Sequence, residues 1–262
     1  MGVASVMSVA TSLENFFQPL TDCSCFTLLA DFDGTLAPFS TDRMTVTPYP
    51  GVRESISVLI SHGVRVAIVS GRAAREVSQL LEMPSVEVWG SHGAERLRLD
   101  GQYSAAALSE IQANTDLILE ALAKEQITSE VEVKPFSIAV HWRGLSPSAA
   151  SELRYAAIRA FRSVPTRSYG MFPFDGGLEF RSSLVTKAQA IEQVRREVPV
   201  GPIAYLGDDL TDEDAFRALG SSDLGVLVRP EYRPTAAQVW LKPPDQLLDF
   251  LADLSSAIGE NL

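Results

Sequence analysis

Positive charge is scarce in this 262-residue chain, where 22 Lys and Arg stand against 33 Asp and Glu for a formal net charge of -11. The average field repels nucleic-acid phosphates and anionic membrane surfaces, so neither is expected as a partner. A small anionic substrate would need a local basic pocket. Cysteine is scarcer still, with only Cys23 and Cys25. One residue apart, they would share a strand face and are poorly placed for a disulfide, so reduced thiols are expected. No stretch reaches the ~18 apolar residues of a membrane span. The opening MGVASVMSVATSLENFF lacks a basic start, and Glu14 and Asn15 interrupt its apolar run, so no secretory leader and a cytoplasmic location are expected. What the chain does have is apolar content: 46% of residues are hydrophobic and the mean hydropathy is +0.08, enough for a sizeable core and too much for disorder.

From Phe26 onward, short apolar runs alternate with helical periods: FTLLA, GVRESISVLISHG, VRVAIVSG, REVSQLLEM and VEVWG. The pattern resumes near the C-terminus with TKAQAIEQVRREV, IAYLG, TDEDAFRAL, LGVLV and DQLLDFLADL. This predicts βαβ units and a Rossmann-like, doubly wound parallel sheet covered on both faces. The middle differs. ERLRLDGQY carries an Asp-Gly turn, SEVEVKPFSIAVHWRG alternates until Pro135 breaks it, SPSAASELRYAAIRAF has a helical period, and RSYGMFPFDGGLEFRS turns at Asp175-Gly176-Gly177. Hairpins and helices between two halves of a parallel sheet predict an inserted α+β cap at 105-180, with core segments at 1-104 and 181-262.

In an open parallel sheet, ligands bind outside the carboxyl ends of the strands, and the unusual polar clusters fall there. Asp31 and Asp33 follow TLLA, Ser70, Gly71 and Arg72 follow VAIV, and Asp208, Asp209 and Asp212 follow IAYLG. Clustered carboxylates raise one another's pKa, so keeping them ionised calls for a cation. Oxygen ligands without nearby His or Cys favour Mg²⁺ over zinc. A cation held by few carboxylates leaves positions for water and a phosphate oxygen, which suits phosphoryl transfer. One aspartate would attack phosphorus and a second would protonate the leaving oxygen and then activate water. Gly34 permits the tight departure from the strand, and Thr35 can hold that turn.

DFDGTL, VSGR, a helix-borne Lys187 and GDDLTDEDAF, in this order, resemble the four motifs of the haloacid dehalogenase-like phosphatases. Within that superfamily SHGAE, VEVKPFSIAVHWR, GLEFR and GDDLTDEDAF resemble the trehalose-6-phosphate phosphatases. The resemblance implies a mixed α/β cap between the second and third motifs. It makes Asp31 the nucleophile and Asp33 the general acid/base, with Ser70 and Lys187 holding the transferring phosphoryl group. It assigns Mg²⁺ to Asp31, the main-chain carbonyl of Asp33, and Asp208, with Asp212 or Asp209 supporting the water shell. In the cap, Glu132, Lys134 and Glu179 fall where that family contacts sugar hydroxyls, with His141 and Arg181 close by. Gly71 and Arg72, and His92 and Gly93 in the Gly90-Gly93 loop, complete the expected substrate-binding set. The implied substrate is a sugar phosphate, most directly trehalose 6-phosphate. The chain alone does not set the oligomeric state, and a monomer is the favoured expectation. Ser182 after EFR and Ala188 after Lys187 depart from the family's usual Pro and Gly, and these departures bear on the sugar.

Blander readings accompany these. TDED reads as a capping box with Thr211 as N-cap and Asp214 at N3, which leaves Asp212 open between metal shell and cap. Glu132 and Lys134 share a strand face and could be a surface pair. His141 could be an ordinary sheet residue. The same chemistry admits sucrose 6-phosphate or mannosyl-3-phosphoglycerate as substrate, or a hexose-phosphate mutase. The same fold admits a non-catalytic sugar-phosphate-binding regulator, but such a domain tends to lose a nucleophile or metal ligand, and Asp31, Asp33, Ser70, Lys187 and Asp208 are all present.

Overall fold

The structure, a computed structural model, describes residues 13, 16-17, 25-40, 44-105, 109-134, 136-165, 169-183, 185-197 and 201-259. Cys23, Pro135 and most of the opening segment lie outside the described residues. The first strands are β1 (Thr27–Ala30), β2 (Arg65–Val69), β3 (Glu87–Gly90), β4 (Glu95–Leu97) and β5 (Tyr103–Ala105), with helices α1 (Val52–Ser61) and α2 (Ala74–Leu81) between them. Next come α3 (Ser109–Lys124), β6 (Val131–Lys134), β7 (Ser137–His141), α4 (Pro147–Arg162), β8 (Tyr169–Phe174) and β9 (Gly177–Ser182). The chain then runs through α5 (Ala188–Glu197), β10 (Ile203–Gly207), α6 (Glu213–Ala218), β11 (Leu224–Val228), β12 (Val239–Leu241) and α7 (Asp245–Gly259). Eight strands form one sheet in the order β12-β11-β10-β1-β2-β3-β4-β5. From β12 to β3 every pairing is parallel, and β4 and β5 add an antiparallel hairpin at the edge.

Strand alternation accounts for this sheet's two cores. Leu28, Ala30, Val66, Ile68, Ala204 and Leu206 pack on one face against Val52, Ile56 and Leu59 of α1, Val77 and Leu81 of α2, and Leu247, Phe250 and Leu254 of α7. Leu29, Ala67, Val69 and Tyr205 point the other way, against Ile191 and Val194 of α5 and Phe216 of α6. Strands buried on both faces read as unbroken apolar runs, the signal FTLLA and IAYLG carry. The topology reverses between β1, whose successors run toward β3, and β10, whose successors run toward β12. A crevice opens at such a switch point, outside the carboxyl ends of the two strands.

The remaining strands form a second sheet, β6-β7-β9-β8, antiparallel throughout. Ile138, Val140, Leu178 and Phe180 on one face pack against Ile118 and Leu122 of α3 and Ala157 and Phe161 of α4. Register places Glu132, Lys134, His141, Glu179 and Arg181 on the opposite face. That polar face meets the larger sheet: Asp175 N donates to Asp209 Oδ2 at 3.0 Å, and Arg143 stacks 4.7 Å from the Phe39 ring centre.

The antiparallel edge is tied to α5 by charge. Arg96 donates from Nε to Glu87 Oε1 at 2.5 Å and from Nη2 to Glu197 Oε2 at 2.8 Å, while Arg65 reaches both glutamates at 2.8 and 2.9 Å. Bonds from Arg96, and then Arg65, hold the Glu197 carboxyl at a pKa of about 2 against an ordinary 4.5. The unfolded chain therefore binds the proton first as pH falls, so this network's contribution is complete above about pH 4.5 and lost as pH drops toward 2. Solvent screening keeps it small. Glu197→Gln should cost about 1 kcal/mol at pH 7 by urea unfolding, and the gap to wild type should close between pH 4.5 and 2.

Candidate active site

Three loops converge on the crevice at the switch point. Beyond β1 the chain keeps the ladder for one more bond, Asp31 N to Leu206 O at 2.8 Å, which fixes Asp31 beside the end of β10. It then turns sharply, with Gly34 N bonded to Ala37 O at 2.7 Å and Gly34 at φ 82°. That left-handed backbone favours glycine, and a Cβ there would collide with the Asp208 carboxylate. Thr35 Oγ1, from the same turn, lies 3.4 Å from Asp208 Oδ1.

Lys187, at the N-terminal end of α5, reaches Asp31 Oδ1 at 2.9 Å and Asp212 Oδ1 at 2.8 Å. All three side chains are buried. A helix N-terminus disfavours a cation, and the two carboxylates outweigh it, holding the lysine well above its usual pKa despite burial. Asp212 is fully engaged: Oδ1 also accepts from Tyr205 Oη at 2.6 Å, and Oδ2 accepts the backbone N–H groups of Asp208 and Asp209 at 3.1 and 3.0 Å. The capping box here has Asp209 as N-cap and Asp212 at N3, and the expected Thr211–Asp214 box does not form. The reason is that Asp212 folds back over the loop toward Lys187 and Tyr205, while Asp214 sits 3.8 Å from Arg181.

Asp31, Asp208 and Asp212 offer oxygens within 4.8 Å of one another. Burial raises the Asp31 carboxyl to about 7, Lys187 opposing it and Asp212 and Asp33 adding to it. Burial, with Asp31 and Asp212 beside it, likewise pushes Asp208 well up. One lysine does not neutralise this group, so the donor set fits a hard cation between Asp31 and Asp208, with Asp212 holding the loop beneath. Asp209 lies apart from that group, bonded to Leu210 N at 2.7 Å and to Asp175 N.

Asp33 faces the loop after β2. Arg72 grips it with two bonds, Nε to Oδ2 at 2.6 Å and Nη2 to Oδ1 at 2.7 Å, and places Nη1 2.5 Å from Glu76. Ser70, buried, accepts Arg72 N on Oγ at 3.2 Å. Gly71 lies under His92, whose ring would be 2.8 Å from a Cβ there. The backbone N–H groups of Ser91 and His92 bond to the carbonyls of Arg72 and Ser70 at 2.7 and 2.9 Å and lock this loop to the one after β2. Ser91 and His92 both hold left-handed backbone, φ 48° and 57°, a strained arrangement that clusters at functional positions.

The polar face of the second sheet closes over these loops. Glu179, buried, accepts Lys134 Nζ at 2.9 Å and Ser137 Oγ at 2.8 Å, and its Oε2 lies 2.7 Å from His92 Nε2 and 3.5 Å from Arg181 Nε. Burial opposes ionisation of Glu179, but His92, Lys134 and Arg181 hold it well below the usual range. Burial, only partly offset by Glu179, brings His92 down to about 4. Arg181 is completely buried and stacks 3.9 Å from the Phe172 ring centre, yet its guanidinium nitrogens have no hydrogen-bond partner among the described residues. Glu132 and His141 pair at 2.8 Å nearer the rim. Sequence reasoning missed Tyr205 and Arg233. Tyr205 is the one polar side chain in an aliphatic strand, a signal available in IAYLG, whereas Arg233, which donates to the Asp208 and Asp209 carbonyls at 3.2 and 2.6 Å, carries no local signal.

The family model described as trehalose-phosphatase matches residues 29–255. A trehalose-phosphate phosphatase of Mycobacterium marinum is 31% identical over 246 residues, covering 87% of this chain and 61% of that protein. The chain thus spans about three fifths of the length of that curated relative. The C-terminal domain of the C. albicans trehalose-6-phosphate phosphatase superimposes with a TM-score of 0.77 at 20% identity, covering 96% of this chain and 97% of that one. A haloalkanoate-superfamily phosphatase from Bacteroides thetaiotaomicron gives a TM-score of 0.64 at 16% identity, covering 88% and 95%. These two likenesses concern the fold.

The carboxylate cluster has a thermodynamic signature. A carboxyl raised from 3.8 to about 7 favours the metal-free fold below pH 3.8 and withdraws that contribution as pH rises to about 7. Asp31→Asn should flatten this dependence by up to about 4 kcal/mol in denaturant unfolding of metal-free protein, while the raised Asp208 keeps a remainder. A divalent cation should raise the melting temperature of wild type at pH 8 and leave that of Asp208→Asn nearly unmoved.

Proposed function

The chain belongs to the trehalose-phosphatase family, and from that premise and the buried cluster we propose that it hydrolyses trehalose 6-phosphate to trehalose and phosphate. The observation that carries this is Asp31 at the end of β1, 2.9 Å from a buried lysine and grouped with Asp208 and Asp212. Asp31 attacks phosphorus and takes the phosphoryl group as an aspartyl phosphate while the ester bond to the sugar oxygen breaks. Asp33 gives its proton to that oxygen, and afterwards takes one from the water that cleaves the aspartyl phosphate. Lys187 and Ser70 bind the phosphoryl oxygens, the ammonium offsetting their charge. Mg²⁺, held by Asp31, Asp208 and the Asp33 carbonyl, would supply Lewis-acid stabilisation of the same charge.

Selectivity comes from the second sheet, taken here as a cap that begins near residue 105 and ends with β9. Arg181, fully buried with guanidinium nitrogens that make no hydrogen bond among the described residues, together with Glu179, Lys134 and His92, supports recognition of sugar hydroxyls. A buried polar group left unpaired is costly, so a ligand that satisfies it gains affinity and specificity. Contacts of Asp175 with Asp209 and of Arg143 with Phe39 hold this face against the crevice and keep bulk water from the aspartyl phosphate.

Purified protein with Mg²⁺ should release phosphate from trehalose 6-phosphate faster than from sucrose 6-phosphate, mannosyl-3-phosphoglycerate or glucose 6-phosphate. Asp31→Asn should lose at least about 10³-fold in turnover while keeping its circular dichroism. Equal rates across the sugar panel would overturn the substrate, and an active Asp31→Asn protein would overturn the nucleophile.

A further inference from the structure

We propose that Arg72 is a positioning residue for proton transfer to the leaving group, acting through Asp33, with no direct contact to the sugar or the phosphoryl group. The geometry is specific. Two guanidinium nitrogens hold the two oxygens of Asp33 at 2.6 and 2.7 Å, and the third nitrogen is anchored on Glu76 at 2.5 Å. A fork-to-fork pair of this kind fixes the plane of the carboxylate as well as its distance, which a point charge does not. The anchor is rigid: Arg72 is 5% exposed, its N–H bonds to Ser70 Oγ, and its carbonyl accepts Ser91 N at 2.7 Å.

Asp33 needs such support because its own segment supplies little. It lies just before Gly34 in the turn that leaves β1, and 24% of its side chain is exposed. Without Arg72 the carboxylate is free to rotate into the crevice mouth. With it, Asp33 is tied to the loop that carries Ser70, so the proton donor and the phosphoryl-binding hydroxyl share one frame. Misalignment by a fraction of an ångström costs rate in a step that depends on orientation. Three of the five N–H donors of Arg72 are thereby committed to Asp33 and Glu76.

This inference rests on Asp33 being the proton donor. The departure of a sugar alkoxide needs a proton, whereas p-nitrophenolate leaves as a stable anion. The parameter kcat/KM reports the first irreversible step, in which that bond breaks, so comparing the two esters isolates the proton. The experiment measures kcat/KM with Mg²⁺ for trehalose 6-phosphate and p-nitrophenyl phosphate in wild type, Arg72→Ala, Arg72→Lys, Asp33→Asn and the Arg72→Ala/Asp33→Asn double variant.

Arg72→Ala should lose about 10²-fold on the sugar phosphate and at least about tenfold less on the aryl ester. Arg72→Lys, which keeps the charge in case the alanine variant does not fold, should show a smaller loss with the same preference. In the Asp33→Asn background, removing Arg72 should cost less than about threefold more, because residues that act as one unit are not additive. Losses that multiply in the double variant, or equal losses of the arginine variants on both esters, would overturn the role of Arg72. If Asp33→Asn itself loses equally on both esters, the assignment of Asp33 as proton donor fails and this inference with it, while the nucleophile remains separately tested by Asp31→Asn.

Discussion

A single buried ammonium allows this crevice to exist. Lys187 lies within 3 Å of Asp31 and Asp212, in a place where burial drives carboxyl groups toward their neutral form. Removing it would leave Asp31, Asp208 and Asp212 facing one another with no fixed countercharge. Its charge also organises the loop after β10. Asp212, held by Lys187 and Tyr205, turns its other oxygen onto the amides of Asp208 and Asp209, so the loop's shape depends on the same lysine. One cation cannot balance three carboxylates, and the deficit is the physical case for a bound divalent ion.

The fold delivers these groups because the order of strand connection reverses between the parallel neighbours β1 and β10. Both strands are sealed by helices on each face, so polar side chains can emerge only at their ends. The hairpin sheet then contributes a wholly different kind of surface. Its apolar face packs on α3 and α4, and the alternate residues, Glu132, Lys134, His141, Glu179 and Arg181, face the crevice. Strand periodicity thus separates the face that packs this sheet from the face turned to the crevice. A substitution at Phe180 disturbs packing, whereas one at Glu179 or Arg181 disturbs the surface over the site.

Much of this was legible in the chain itself. Unbroken apolar runs ending in Asp31, Ser70 and Asp208 specify a parallel sheet with its polar groups at one edge. The i and i+2 spacing of Glu132 and Lys134 placed them on one face. What was not legible are pairings that depend on how distant loops meet. Arg72 follows a motif serine and reads as a substrate contact, but its partner Asp33 is 39 residues away. The capping box shifted from Thr211–Asp214 to Asp209–Asp212 because Lys187, 25 residues distant, draws Asp212 inward. Glu179 gains its contact with His92 only when the two sheets close together. Local sequence encodes which residues emerge; tertiary geometry decides which of them are bound to one another.

The proposed covalent attack by Asp31 makes a bond that can be observed directly. Substrate carrying a radiolabelled phosphoryl group, mixed with enzyme and Mg²⁺ and quenched in acid within the first turnover, should leave label on the protein. That label should be stable to acid, released by hydroxylamine, and confined to the peptide containing Thr27–Ala37. Label on any other residue, or complete turnover with no labelled protein at any quench time, would contradict it.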